Sequence, residues 1–340
     1  MYCNSCLKQI PKDDDVYCVE CGVPLHSKCA NHCLECGDPL CDSCYAENKF
    51  RCSKCFDVKK PIKAIRRSYI KQYEQCPYSL YLMLIEGIEP PMGKYAQLGI
   101  IVHKLIEEMQ LEKITEKQAL IRLEEEVMEW DKNNDDEYSL IPLDLLEVGK
   151  NCITEFERER PMLIGETKLE YKIQYSIDEK LPDITCTLDR IAFVNNDIHI
   201  HDWKTGKPLA GKNLIKELQP PLYIYAIYKE FGVMPKTFNL HYLSKGKILT
   251  YKYIDDEHYE ISTSRSKYIL DIPKAIERTK KILNGIKKEK WDIPSDVDDN
   301  WYCKRMCWYG ISGMCKGNQT EEWHKVNKER ENAKKEERKE

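Results

Sequence analysis

The stretch Leu188–Pro208, LDRIAFVNNDIHIHDWKTGKP, decides how this chain is read. Two runs of alternating apolar residues flank Asn195–Asn196, a turn signal, so the segment predicts a β-hairpin. The second run stops at Gly206 and Pro208. It carries Asp202 and Lys204, two apart and therefore on one face of the strand. Asp189 lies thirteen positions before Asp202, in the preceding strand, and the hairpin brings the two aspartates onto neighbouring strands. Carboxylates that close repel unless a cation sits between them, and a divalent metal with oxygen ligands is the natural cation. A lysine beside it can stabilise negative charge in a transition state. Together these groups form a constellation for metal-assisted phosphodiester hydrolysis.

Outward from the hairpin, the chain reads as α/β. The segments SYIKQYEQCPYSLYLMLI, GIIVHKLIEEM, 113–130, YIYAIYKEFG and IPKAIERTKKILNGIKKEK have helical spacing, while TKLEYKIQYSI and the two runs around Lys245–Lys247 read as strands. This zone, residues 68–318, is bounded by a basic linker at 58–67 and a mixed-charge tail at 319–340. With 340 residues the chain has room for one large domain or two ordinary ones. The net charge of −4 does not advertise nucleic-acid binding, but leaves a local basic groove open. No apolar run approaches membrane-spanning length, and a cysteine pair stands where a signal peptide would begin, so the expected setting is cytoplasmic, with no membrane partner.

Of the 17 cysteines, 11 precede Phe56. In a reducing compartment that density reads as metal ligation. Six pairs share a two-residue gap: Cys3/Cys6, Cys18/Cys21, His26/Cys29, Cys33/Cys36, Cys41/Cys44 and Cys52/Cys55. Such knuckles place two ligands on one tetrahedral zinc, so twelve ligands make about three Zn²⁺ in a module spanning residues 1–57. The metal would supply much of the folding energy of so small a unit. The order of pairs resembles cross-brace fingers such as PHD and RING domains. By that resemblance Cys3, Cys6, His26 and Cys29 share one ion, and the other pairings stay open. The module reads as a docking surface for protein or nucleic acid.

The hairpin pattern, an aspartate followed by Asp-X-Lys, resembles the PD-(D/E)XK nuclease superfamily, and DWKTG resembles the third motif of its RecB-type branch. GIIVH resembles the branch's upstream helix, whose histidine, here His103, is a metal ligand. LEYKI resembles the strand before the hairpin, with Glu170 at the acidic position and Glu166 as a rival. QPPLY matches the Gln-X-X-X-Tyr motif at Gln219 and Tyr223. SYIKQYEQCPYSLYL resembles the opening of iron–sulfur members. The resemblance implies a restriction-endonuclease-like core, a mixed central sheet flanked by helices. It implies Mg²⁺ or Mn²⁺ held by Asp189, Asp202, His103 and the Trp203 carbonyl, with Lys204 at the attacking water. Glu170, Gln219 and Tyr223 support the site or position DNA. The implied activity is exonuclease action on single-stranded DNA ends.

Cys76 together with Cys303, Cys307 and Cys315 resembles the iron–sulfur members, such as the AddB subunit and the RecB-like CRISPR-adaptation nucleases. The resemblance implies a 4Fe–4S cluster that staples the first helix of the domain to its last segment. A fourth zinc is the alternative. Cys152 and Cys186 fit neither centre and read as small buried hydrophobes. The aromatics of NWYCKRMCWYG either shield that centre or stack on bases. A rival reading of the whole chain is a non-catalytic DNA- or protein-binding adaptor on a nuclease fold.

Overall fold

In a computed structural model, the described residues are 62–134, 138–264, 266–294, 302–303, 306–312 and 315, with the backbone of four short strands before them. Those strands are β1 (Asp15–Tyr17), β2 (Pro24–His26), β3 (Asn31–His32) and β4 (Pro39–Leu40), paired β1 with β2 and β3 with β4. The cysteines proposed for zinc (Cys3, Cys6, Cys18, Cys21, Cys29, Cys33, Cys36, Cys41, Cys44, Cys52, Cys55) and the His26 side chain lie outside the described residues, as does the tail 319–340. The chain divides into two compact units, residues 1–62 with 81–88 and residues 63–80 with 89–340, and the sheet belongs to the second.

The second unit opens with β5 (Ala64–Arg66) and α1 (Arg67–Gln75). The predicted first helix is in fact two, α1 and α2 (Pro77–Leu84), broken at Cys76. Pro77 clashes with a helical residue before it, and Cys76 accordingly sits extended at φ −161°, ψ 104°. Three helices follow: α3 (Lys94–Gln110), α4 (Glu116–Lys132) and α5 (Leu143–Glu159). A capping box of Thr115 and Gln118 starts α4. Helix α5 is additional to the helices expected from the sequence.

Next come β6 (Glu166–Tyr175), β7 (Asp183–Val194) and β8 (Asp197–Lys204). Asn195 and Asn196 both adopt positive φ, 50° and 71°, as a two-residue hairpin turn matched to strand twist requires. A short α6 (Asn213–Lys216) leads to α7 (Gln219–Phe231), which ends at Gly232 in the left-handed region, φ 75°. The chain finishes the sheet with β9 (Thr237–Tyr242), β10 (Lys247–Tyr253), β11 (His258–Ser262) and β12 (Lys267–Asp271). Helices α8 (Ile272–Lys287) and α9 (Trp308–Ile311) complete the described elements.

One eight-stranded sheet runs β12-β11-β10-β9-β8-β7-β5, with β6 along the other edge of β7. Most neighbours are antiparallel; β8–β9 and β5–β7 are parallel. The parallel β8–β9 step crosses through α7, which is how α7 comes to cover the sheet. Successive residues of β8 face opposite layers. Trp203 packs edge to face on Phe156 of α5, ring centroids 5.4 Å apart, within the core of α3, α4 and α5. Asp202 faces the opposite layer and meets α7. The protein is thus a mixed α/β fold of restriction-endonuclease type, with helices on both faces of the sheet.

Gly165, just before β6, has φ 94°, and a Cβ there would stand 2.5 Å from the Phe193 carbonyl oxygen. Gly165→Ala is therefore expected to destabilise the protein by about 1–3 kcal/mol, read as a lower denaturant midpoint. An unchanged midpoint would show that the β6–β7 ladder shifts freely.

Candidate active site

The site forms where β8 parts from β7. Backbone pairing of the two strands runs from Val194↔Asp197 to Arg190↔His201 and stops there. The next pair would be Asp189 and Asp202. Instead, the Trp203 N–H donates to Asp189 Oδ2 at 2.7 Å, so a carboxylate replaces the backbone acceptor. That bond fixes the Asp189 side chain at the fork.

Glu170 completes the acidic group. It falls between the pairs Leu169↔Arg190 and Tyr171↔Leu188, which sets it opposite Asp189. The ladder skips this position, and Glu170 has φ 45°, a left-handed conformation that disfavours a side-chain-bearing residue. Strained backbone of this kind persists where surrounding structure over-determines it. Glu166, the rival acid, pairs with Phe193 and is exposed, remote from the fork.

His103 reaches in from α3, with Nδ1 3.5 Å from Asp189 Oδ2. One ligand atom each from His103, Glu170 and Asp189 lies within 4.8 Å of the others. Asp202 is 2% exposed. Its Oδ1 accepts from Gln219 Nε2 at 2.7 Å. Its Oδ2 lies against the Lys204 ammonium as an ion pair but is engaged in no aligned hydrogen bond. A buried carboxylate oxygen without a hydrogen bond, beside a His–Glu–Asp triad, is a donor set that fits a hard divalent cation.

The electrostatics agree. Burial pushes the Glu170 pKa up to about 7, with Asp189 adding to the shift. Burial likewise raises the Asp189 pKa, His103 opposing and Asp202 reinforcing. Tyr223 is buried, and burial raises its pKa, with the Asp202 charge adding to the shift. The two prolines after Gln219 take the first helical positions of α7, where no N–H partner is required, so Gln219 begins the helix pointing at Asp202.

A second polar chain lies behind the site and was not legible in the sequence. His241 Nδ1 is 2.6 Å from Glu159 Oε2, and His241 Nε2 is 2.9 Å from His201 Nδ1. Burial pushes the His201 pKa down to about 2, which keeps it neutral. The one available signal was the IHIH alternation, which puts His201 on the face opposite Asp202. The chain ties β8 and β9 to the end of α5.

Cys76, Cys303, Cys307 and Cys315 are all buried. Burial raises the Cys76 and Cys307 pKa values, and the Cys315 thiol adds to both shifts, so three of these cysteines are near one another. Cys152 and Cys186 are buried too, and burial pushes each thiol up to about 12.

The profile of the PD-(D/E)XK nuclease superfamily matches residues 67–312. The chain belongs to that superfamily. The matched span includes the fork, both aspartates, Lys204, Glu170, His103, Gln219 and Tyr223. Nucleases of this superfamily generally use divalent metals, and their fold implies a DNA substrate. Among solved structures, the nuclease is similar to a provisionally assigned exonuclease from Eubacterium rectale, at 9% identity and TM-score 0.40, covering 76% of this chain and 91% of that one. It is also similar to the protein SSO0001, at 14% identity and TM-score 0.34, covering 78% and 92%. Comparison with curated proteins gave no match. No helix among the described residues is long and apolar enough to cross a membrane.

The sign of the pH dependence follows from Glu170. Its folded pKa of about 7 lies above the ordinary 4.5, so the protonated form stabilises the fold. That contribution is complete below the ordinary value and is lost as pH rises through about 7. A cation reverses the loss. Mn²⁺ is therefore expected to raise the Tm of the metal-free protein more at about pH 8 than at about pH 5. Glu170→Gln should shrink that difference; equal increments at both pH values in the wild type would contradict it.

Proposed function

We propose that the protein is a Mg²⁺- or Mn²⁺-dependent deoxyribonuclease of the RecB-type branch, acting as an exonuclease on single-stranded DNA ends. The observation that carries this is the fork. Asp189, Asp202, Glu170 and His103 converge where the β7–β8 ladder ends, with Lys204 beside Asp202.

In this reading Asp189, Asp202 and His103 hold the metal, with the Trp203 carbonyl as a further ligand and Glu170 supporting. When bound, the ion supplies Lewis-acid activation of water and offsets charge developing on the phosphate. The remaining work belongs to the chain. Gln219 holds one Asp202 oxygen, leaving the other turned toward Lys204. The Trp203 N–H holds Asp189. Lys204, whose side chain is 29% exposed, reaches past buried Asp202 and orients the attacking water or stabilises the phosphate's growing charge. Tyr223 is buried and within reach of the Asp202 and Asp189 charges.

The cysteine set supports a 4Fe–4S cluster joining Cys76 to Cys303, Cys307 and Cys315. All four thiols are buried, and Cys76, Cys307 and Cys315 are close enough to perturb one another, as ligands of one shared centre would be. The twelve N-terminal ligands would hold about three Zn²⁺, in a module that docks a protein partner or nucleic acid.

Wild-type protein, purified without oxygen and given Mg²⁺ or Mn²⁺, is expected to degrade end-labelled single-stranded DNA and to spare covalently closed circles. Lys204→Ala should lower kcat by about 10²–10³-fold. Equal cutting of circles would overturn the exonuclease assignment, and full activity in the variant would remove Lys204 from the chemistry. Iron and acid-labile sulfide analysis should find about four of each per chain, falling sharply in Cys76→Ser. Zinc in place of iron at that site would overturn the cluster.

A further inference from the structure

Arg67, the first residue of α1, stands out on the Asp202 side of the sheet. It is half-buried, and its Nε is buried without a hydrogen-bond partner. A buried guanidinium atom without an acceptor is costly, because arginine does not lose its charge. The nearby acid does not relieve it. Glu217 feels the Arg67 charge, but its carboxylate is taken by Lys71 at 2.7 Å. What Arg67 does have is a platform. Its guanidinium lies 5.9 Å from the centre of the Tyr223 ring, and its charge also reaches Cys186 and Tyr175. Tyr223 in turn feels the charges of Asp202 and Asp189.

Arg67 and the carboxylates of Asp202 and Asp189 thus all act on the same tyrosine. Among the described residues no ion pair involves its guanidinium, and Glu217, the acid that feels its charge, is held by Lys71. We infer that Arg67 is a phosphate-anchoring residue, whose guanidinium takes a DNA phosphate next to the one being cut. This rests on the nuclease reading above and adds a residue to it. Arginine suits the task, since its planar fork matches two phosphate oxygens at once. An internal diester and the terminal monoester of the strand present the same phosphate oxygens to the guanidinium.

The test measures binding of fluorescent single-stranded DNA in a Lys204→Ala background, with and without a 5′-phosphate, across a salt series. Arg67→Ala is expected to weaken binding by about tenfold or more. It should also flatten the slope of log K against log salt by about 0.7, the single-strand value for one lost phosphate contact. Arg67→Lys should keep the slope while losing affinity. A loss confined to 5′-phosphorylated DNA would assign the terminal monoester, and a loss on both would assign an internal phosphate. Unchanged affinity and slope in Arg67→Ala overturns the inference, while cleavage by the Lys204-containing protein shows that the nuclease reading survives. A parent protein that neither binds nor cuts DNA overturns both.

Discussion

Carboxylates on adjacent strands repel, and the nuclease depends on holding three of them together at the fork. Asp189 and Glu170 lie opposite one another across β6 and β7, and Asp202 is the next neighbour along the sheet. Nothing in their own chemistry draws them close. They are held by what lies behind. Trp203 is almost fully buried against Phe156, so β8 cannot rotate to relieve Asp202. The Trp203 N–H, released from the ladder by the splay of the strands, captures Asp189. The Glu159–His241–His201 chain anchors β8 and β9 to α5 from the same side. A hydrophobic and hydrogen-bonded rear layer thus imposes the crowding on the front.

The crowding has a visible cost. Glu170 occupies left-handed backbone, and its pKa is pushed up to about 7 by burial and by Asp189. Asp202 keeps one oxygen without an aligned hydrogen bond while fully buried. A cation would relieve the carboxylate crowding and the unbonded oxygen, while the backbone strain at Glu170 is held by the surrounding strands. The two layers divide the work: α3, α4 and α5 supply rigidity, while α7 supplies the polar contact that orients Asp202. The parallel β8–α7–β9 connection makes this possible, since it returns the chain across the face that carries Asp202.

The first and last described segments of the matched domain meet through cysteines. Pro77 breaks the opening helix and leaves Cys76 extended between α1 and α2, where its thiol is buried. Cys307 and Cys315 feel or exert charge on it from the other end of the chain. A shared inorganic core there would close a loop over most of the domain, and closing long loops restricts the unfolded chain most. The fork itself is independent of it, being built from neighbouring strands.

The sequence by itself determined the hairpin. Its period-two alternation and Asn195–Asn196 set the pairing, and pairing alone puts Asp189 beside Asp202 and Lys204 beside Asp202 on one face. These are local consequences of strand geometry. The helix stop at Gly232 was legible for the same reason, since it depends on the backbone of one or two residues. Tertiary structure decided the rest. Glu170 and Glu166 lie on one strand with the same chemistry, and only the β6–β7 register puts one at the fork and the other beside Phe193. Apolar spacing runs straight through Pro77, and it is the pre-proline clash at Cys76 that splits the helix in two. His201, His241 and Glu159 come from three elements distant in sequence, so no local pattern could join them. Arg67 looked like part of a basic linker until the fold set it against Tyr223 without an acid to pair with.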